Sequence, residues 1–449
     1  MPKPKWTIVI LITILASQST LQAYAVPTWT TQIVDPSGNG GKIAIDSNNN
    51  PHIVYYVDSI FNQPTTGLNY AVWTGNNWTK QTVDPSGAGG ILILDASKNP
   101  HILYRDSTLD NLKYAVWNGA NWTIHTIALS GVGGYAMAID SSGKLHIAYS
   151  SSIYSNNTYK TNITYAVCTG SIWAAQTIDS EERSIFNSGL NPSSIVLDSN
   201  GHPHITYLEN VVYEYYYSKS WNNKAFYSTN NIKYATTTGS NWSIQTIVTN
   251  ASTTVGATGN LVLDSKAQPH LCYIHENFTY LPDYGTFMVR DSLNYVYWDG
   301  SAWLVRTIDP KPYNVFYRQP CLRLDSDNNP QVFFYEEDYH NPADTGLKYA
   351  KYSGSNWDIQ TIGKQQFLDI AFDSYDNPHI TYDMVMCTIH GAPKYGNLTY
   401  ASLETPLFPS FSTFLTTFLV AIPIFIIAVV LVIIYKTRNK TAKGLPHIK

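Results

Sequence analysis

Charge is scarce in this sequence. Asp, Glu, Lys and Arg make up only 13% of the 449 residues, and the formal net charge is -4. There is no basic surplus of the kind that draws a protein to nucleic acid, so no nucleic-acid partner is expected. Low charge together with 14% aromatics also excludes a disordered chain, which is charged and poor in aromatics. Cysteine is scarcer still. The four residues Cys168, Cys272, Cys321 and Cys387 show no C-x-x-C and no zinc-ligand spacing, and no disulfide framework is legible. Cys168 and Cys272 lie in strand-like segments, where a buried thiol is the ordinary outcome.

The two ends are the exceptions to an even composition. Lys3 and Lys5 precede an apolar run from Trp6 to Ala16, and the sequence Ala23-Tyr24-Ala25 follows. A charged start, a short hydrophobic stretch and small residues at a cleavage point are the marks of a secretory signal peptide, here 1–25. Residues 414–435 contain no charge in 22 positions, enough to cross a bilayer as a helix. Lys436, Arg438, Lys440 and Lys443 come next, the charge bias of a cytoplasmic flank. The expected order is signal peptide, extracellular body 26–401, linker 402–413, one membrane span 414–435 and a basic cytoplasmic tail 436–449.

What fills the body is tyrosine, tryptophan and repetition, with 34 Tyr and 12 Trp in the chain. One unit has four short pieces. An apolar run ends in Asp, as at Asp46, Asp95, Asp140, Asp198, Asp264, Asp325 and Asp373. A Pro-His-Ile segment follows, with His52, His101, His146, His204, His270 and His379; Gln331 stands in the sixth copy. A Leu-x-Tyr-Ala segment is centred on Tyr70, Tyr114, Tyr165, Tyr234, Tyr295, Tyr349 and Tyr400. A Trp-x-x-x-Thr-Ile/Val segment begins at Trp78, Trp122, Trp173, Trp242, Trp303 and Trp357. Each piece is short and rich in β-branched and aromatic residues, with Gly, Asn, Asp and Ser between. Four antiparallel strands per repeat at this period predict a β-propeller blade.

The fourth piece is missing from the last unit, and its counterpart is Trp29-Thr30-Thr31-Gln32-Ile33-Val34 at the other end. The spacing therefore predicts an all-β, seven-bladed propeller closed by its N-terminal strand, with no exposed terminal edge. The units D-S-x-x-x-P-H-I-x-Y and L-K-Y-A-x-W-x-G-x-x-W resemble those of extracellular bacterial and archaeal β-propeller repeat proteins. More distantly they resemble the Asp-box repeats of sialidase-like propellers, although the pattern S-x-D-x-G-x-x-W is absent. The resemblance spans roughly residues 29–401 and implies the fold.

Naming the strands a to d from the centre outward, the a–b and c–d links are short and uniform. The b–c and d–a links vary, so the face they share is the expected functional face, pointing away from the membrane. Candidate ligand-binding residues there are the acids that follow strand b: Asp58, Asp106, Glu209, Glu276, Glu336, Glu337 and Asp383, with Arg105 beside them. The long links add aromatic anchors, Tyr213, Tyr216 and Trp221 in one and Tyr280 and Tyr284 in another. The repeated histidines, one per blade, cannot converge on one metal ion, and are read as structural, packed or hydrogen-bonded; a bond to the hairpin backbone would serve. The repeated aspartates are read as caps of their own turns, with calcium a minor alternative because the third turn position holds Lys266 in one copy. No metal and no cofactor are expected.

No nucleophile–base pair is visible, so the reading favours a surface binding or adhesion module for an extracellular protein or glycan. The alternatives are a sialidase-like glycoside hydrolase and a structural cell-envelope protein. Arg323 is out of place among Ala44, Ala138, Val196, Val262 and Ala371, and marks either a channel ligand or the partner of an acid. Among the N-x-S/T triplets, Asn156, Asn250 and Asn277 lie in expected loops and are the candidate glycosylation sites.

Overall fold

The computed structural model describes residues 28–57, 67–129, 131–169, 172–183, 190–218, 223–251, 259–281, 286–310, 315–339, 341–387 and 393–403. No side chain is described between 211 and 229, between 276 and 291, between 384 and 396, or at Thr169, Ile172 and Asn250. The predicted signal peptide, span and tail lie outside these residues, as does the predicted linker from 404 on; Ser402 and Leu403, assigned to the linker, continue the last strand instead. Among the described residues no helix is long and apolar enough to cross a membrane.

The described chain is all β, and its strands fall into seven four-stranded antiparallel blades. The blades occupy 38–84, 87–128, 132–183, 190–251, 262–310, 315–363 and 369–403, the last completed by Trp29–Asp35. Within each blade the strands pair in the order a, b, c, d. In blade 7 the N-terminal strand takes the outermost place, beside Pro393–Leu403, as the missing tryptophan segment predicted. Blades 4 and 5 share one further pairing, between Ala251 and His275, which merges them into a single sheet.

Apolar residues of strands b and c form the packing layer between blades. Ile53, Ile102, Ile147, Ile205 and Ile380 are all fully buried, as are Ala71, Ala115, Ala235, Ala350 and Ala401. Strand a carries a bulge in several blades, for instance between Asn39 and Lys42. Gly40 sits in that bulge at φ 66°, and a Cβ there would strike the Tyr56 ring. Only glycine accepts both the left-handed backbone and the close approach.

Six of the aspartates, Asp46, Asp95, Asp140, Asp198, Asp264 and Asp325, cap their own turns as their spacing predicted. Asp46 Oδ1 accepts the N–H groups of Asn48 and Asn50, each at 2.8 Å. Asp264 Oδ1 does the same with Lys266 and Gln268, at 2.8 and 2.7 Å. The next-to-last turn residue is left-handed, as at Asn49 and Asn328 (φ 64° and 63°), which is why Asn and Gly recur there.

The histidines are buried and hydrogen-bonded, as expected, but with a different partner. Their ring nitrogen bonds a tyrosine hydroxyl, not the hairpin backbone. His101 Nδ1 lies 2.6 Å from Tyr114 Oη, and the pairs His146–Tyr165 and His379–Tyr400 match it at 2.6 Å. The opposite nitrogen, Nε2, faces the turn aspartate at 3.6 Å in His101–Asp95 and 3.5 Å in His379–Asp373. The tautomer that satisfies both contacts carries its proton on Nε2, with the tyrosine donating to Nδ1. Each triad ties three strands of one blade, and burial holds these histidines below their ordinary pKa despite the aspartate.

A second belt runs between blades. The Tyr70 ring meets Trp122 of the next blade edge-on at 5.4 Å, and Tyr165 meets Trp242 at 5.2 Å. The indole Nε1 donates to a glutamine of the preceding blade: Trp122 to Gln81 at 3.0 Å, Trp242 to Gln176 at 3.2 Å, Trp303 to Gln245 at 2.8 Å.

Candidate functional site

The variable links are built as β-ribbons more than as loops. The b–c hairpin of blade 4 is formed by Pro203–Ser218 and Asn223–Thr236, and that of blade 5 by Pro269–Leu281 and Thr286–Trp298. Blades 3 and 7 also have prolonged hairpins, Leu145–Ser155 with Thr158–Thr169 and Pro378–Cys387 with Pro393–Leu403. Blade 2 stops at Pro100–Asp106 and Leu112–Trp117. Pairing continues to the end of the longest ribbon, where Ser218 faces Asn223. Tyr213 and Tyr216 lie in that ribbon and Glu276 and Tyr280 in the blade 5 ribbon, with no side chain described; Asp58, Trp221 and Tyr284 lie outside the described residues.

The described acids of this face are each engaged locally. Asp106 is buried and accepts from Thr108 N at 2.8 Å, Leu109 N at 3.1 Å and Ser86 Oγ at 3.1 Å, with Lys113 Nζ at 2.5 Å. Burial pushes its carboxyl up, but Lys113 and the Thr108 donors outweigh that and hold it far below the usual range. Arg105 is paired with Asp110. Glu209 lies 3.2 Å from Lys233 and 3.7 Å from Arg183. Glu337 is paired with Arg318 at 3.0 Å. Glu336 is buried, and its carboxylate comes within 4.8 Å of Asp338 and Asp344, the latter bonded by Lys348 Nζ at 2.5 Å. Among the described residues this is the one place where three metal-type ligands meet, and the lysine ammonium already supplies a cation beside it. Sequence reasoning named Glu336 but not the other two.

Asp383 differs from the rest. Its Oδ2 accepts Gly40 N at 3.3 Å, whereas Oδ1 is buried with no hydrogen-bond partner. Burial raises its pKa to about 6, with the Gly40 bond opposing. Arg323, singled out as anomalous, lays its guanidinium over the Phe372 ring at 4.3 Å. Asn156 is exposed at a hairpin tip, at φ 50°.

The opposite, uniform face holds a groove of about 330 Å³ between blades 5 and 6. It is lined in part by Asp264, Gln268, Tyr297, Arg306, Asn328 and Tyr352. Two of these break the repeat. Arg306 pairs with Tyr295 where Gln81, Gln176, Gln245 and Gln360, and His125 in blade 2, pair with the corresponding tyrosines. Tyr297 pairs with His270 where valine stands opposite His52, His101 and His146, Thr236 opposite His204, Lys351 opposite Gln331 and Ser402 opposite His379, so it is the one aromatic at this register. With its glutamine replaced, Trp357 Nε1 is left as a buried donor without a partner. An orphaned buried donor costs about 1–3 kcal/mol. Sequence reasoning missed Arg306, although aligning the seven outer strands on their tryptophans would have exposed it.

No protein-family model matches the chain, and no curated protein matches it. Solved structures do. A polysaccharide lyase is 10% identical over 86% of this chain and 94% of its own, at a TM-score of 0.48. An α-L-arabinanase of Penicillium chrysogenum is 11% identical over 85% and 98%, at 0.42. A protein of unknown function from Dyadobacter fermentans is 8% identical over 73% and 97%, at 0.41. None of these likenesses bears on the chemistry of either face.

Proposed function

We propose that this protein is a cell-surface binding module, secreted by the signal peptide 1–25 and held by the single span 414–435. Its propeller engages an extracellular protein or glycan through the face from which the b–c ribbons rise. The observation that supports this is the unequal length of the ribbons. The blade bodies are near-copies, yet the blade 4 hairpin reaches 16 and 14 residues per strand and the blade 2 hairpin 7 and 6. Nothing in blade packing requires that excess, and a rigid scaffold with one elaborated face is the usual build of a recognition surface. The ribbons also carry the aromatic-rich stretches 213–217 and 278–287.

The test is a glycan and protein binding screen with the full chain displayed on cells. Alanine replacement of Tyr213, Tyr216 and Trp221, or of Tyr280 and Tyr284, is expected to abolish capture of the partner. Capture that survives both replacements overturns the assignment of the face. Turnover of a glycoside substrate by the same cells overturns the binding reading itself.

A further inference from the structure

We infer that the groove between blades 5 and 6 is a second binding site, on the face opposite the ribbons, and that its ligand is a neutral sugar unit. At about 330 Å³ the groove is at the small end of ligand pockets, which run roughly 300–1,000 Å³.

Its floor is pre-organised. The Tyr297 ring stacks on Tyr295 at 5.1 Å and on His270 at 5.7 Å, with interplanar angles of 17° and 13°. Arg306 lies over Tyr297 and Tyr352, 5.4 and 4.8 Å from their centroids, and donates to both hydroxyls, to Tyr297 Oη at 2.9 Å. Two of the five guanidinium N–H groups are thereby used, and the rest of the fork is left for a ligand. Among the described residues Arg306 has no ion-pair partner.

The acceptors complement it. Asp299 Oδ1 receives Ser301 N and Ala302 N, each at 2.8 Å, while its Oδ2 makes no bond among the described residues. Asp264 Oδ1 is filled by its own turn, and its Oδ2 faces His270 Nε2 at 3.8 Å. The groove therefore offers one cation and two carboxylates. A free anion meets two like charges, and a free cation meets the guanidinium. Hydroxyl groups, which accept from the fork and donate to the carboxylates, suit both, and the C–H face of a pyranose suits the tyrosine wall.

The repeat supports this independently. Blade 5 gives up the Trp–Gln bond kept at Trp122, Trp242 and Trp303, leaving Trp357 Nε1 buried without a partner. A departure from the repeat that leaves a buried donor unpaired is expected at a functional position.

The test uses the full chain in a detergent without a sugar headgroup, with methyl glycosides of galactose, glucose, mannose and fucose followed by saturation-transfer NMR and titration. At least one glycoside is expected to bind. Arg306→Gln restores the repeat residue and an acceptor for Trp357; it is expected to weaken binding tenfold or more while raising the melting temperature. Tyr297→Val is expected to weaken binding similarly. If no glycoside binds, if R306Q binds as the parent does, or if only uronic acids bind, the assignment fails. R306Q cannot lose binding merely by unfolding, because its stability is read in the same sample.

Discussion

The indole Nε1 of Trp78 donates to Gln32 Oε1 across 3.1 Å, and this bond fastens the first strand of the chain, already paired in the last blade, to the first blade. The same strand supplies Asp35, whose carboxylate accepts Tyr55 Oη at 2.9 Å and pairs with Lys80 at 3.1 Å. Ring closure thus rests on a strand pairing in the last blade and on side-chain clasps to the first. Gln32→Ala is expected to lower stability by about 1 kcal/mol, the net worth of one hydrogen bond. Deleting Trp29–Asp35 is expected to do far more, because it bares the edge of Pro393–Leu403. Thermal melting and size-exclusion chromatography check both. A deletion variant that melts and elutes like the parent would contradict the closure.

Acid should loosen the propeller through its histidines. Burial depresses the pKa of His52, His101, His146, His204, His270 and His379, outweighing the aspartates that oppose it. A histidine whose folded pKa lies below its unfolded value near 6.5 contributes stability above that value and loses it as pH falls through the folded pKa. The melting temperature is therefore expected to drop from pH 7 toward pH 5. Blade 6 carries Gln331 in place of histidine, with Phe333 against Tyr349 at 4.7 Å, so the fold has its own model of the substitution. His101→Gln is expected to make that acid drop smaller, as differential scanning fluorimetry across pH would show.

Asp383 acts in the opposite sense. Its pKa, raised by burial to about 6, lies above the unfolded value near 4, so its contribution is full below pH 4 and is lost as pH rises through 6. Asp383→Asn keeps an acceptor for Gly40 and removes the buried charge. It is expected to raise the melting temperature at pH 8 and to change it little at pH 4. An equal shift at both pH values would show that the carboxyl does not titrate there.

Chelation is expected to do nothing to the turns. One carboxylate oxygen of Asp46 and of Asp264, Oδ1, is filled by backbone N–H groups of its own turn, so the turn closes on its own donors without a calcium ion. Melting curves in EDTA and in millimolar calcium should superimpose. A calcium-dependent rise would point instead to Glu336, Asp338 and Asp344.

The architecture was readable because each blade must satisfy the same internal contacts. Asp95, His101 and Tyr114 touch one another within a blade, so their counterparts recur in sequence and announce the strands that carry them. The hidden partner of each histidine was the tyrosine, since a register between strands b and c is not written in the spacing of either. The groove was illegible for a related reason. Arg306 and Tyr297 are ordinary residues in their own strands, and they become anomalous only when set beside Gln245 and Val167 at the matching register. The acids of the ribbon face looked like a ring because the sequence shows where charges fall and not what neutralises them. Lys113 and Arg318 come from other strands.

The place of the first strand also fixes an order of events in time. Pro36 accepts a hydrogen bond from Asn397, nearly the whole body of the chain later. At roughly 5–20 residues per second of synthesis, Trp29–Asp35 emerges tens of seconds before the strand it must pair with. Six blades can be assembled while their closing piece stays unmatched, an open edge available to a chaperone or to another copy. A chain cut short anywhere before Pro393 never covers that edge, so truncated products of this protein should be sticky in a way the finished ring is not.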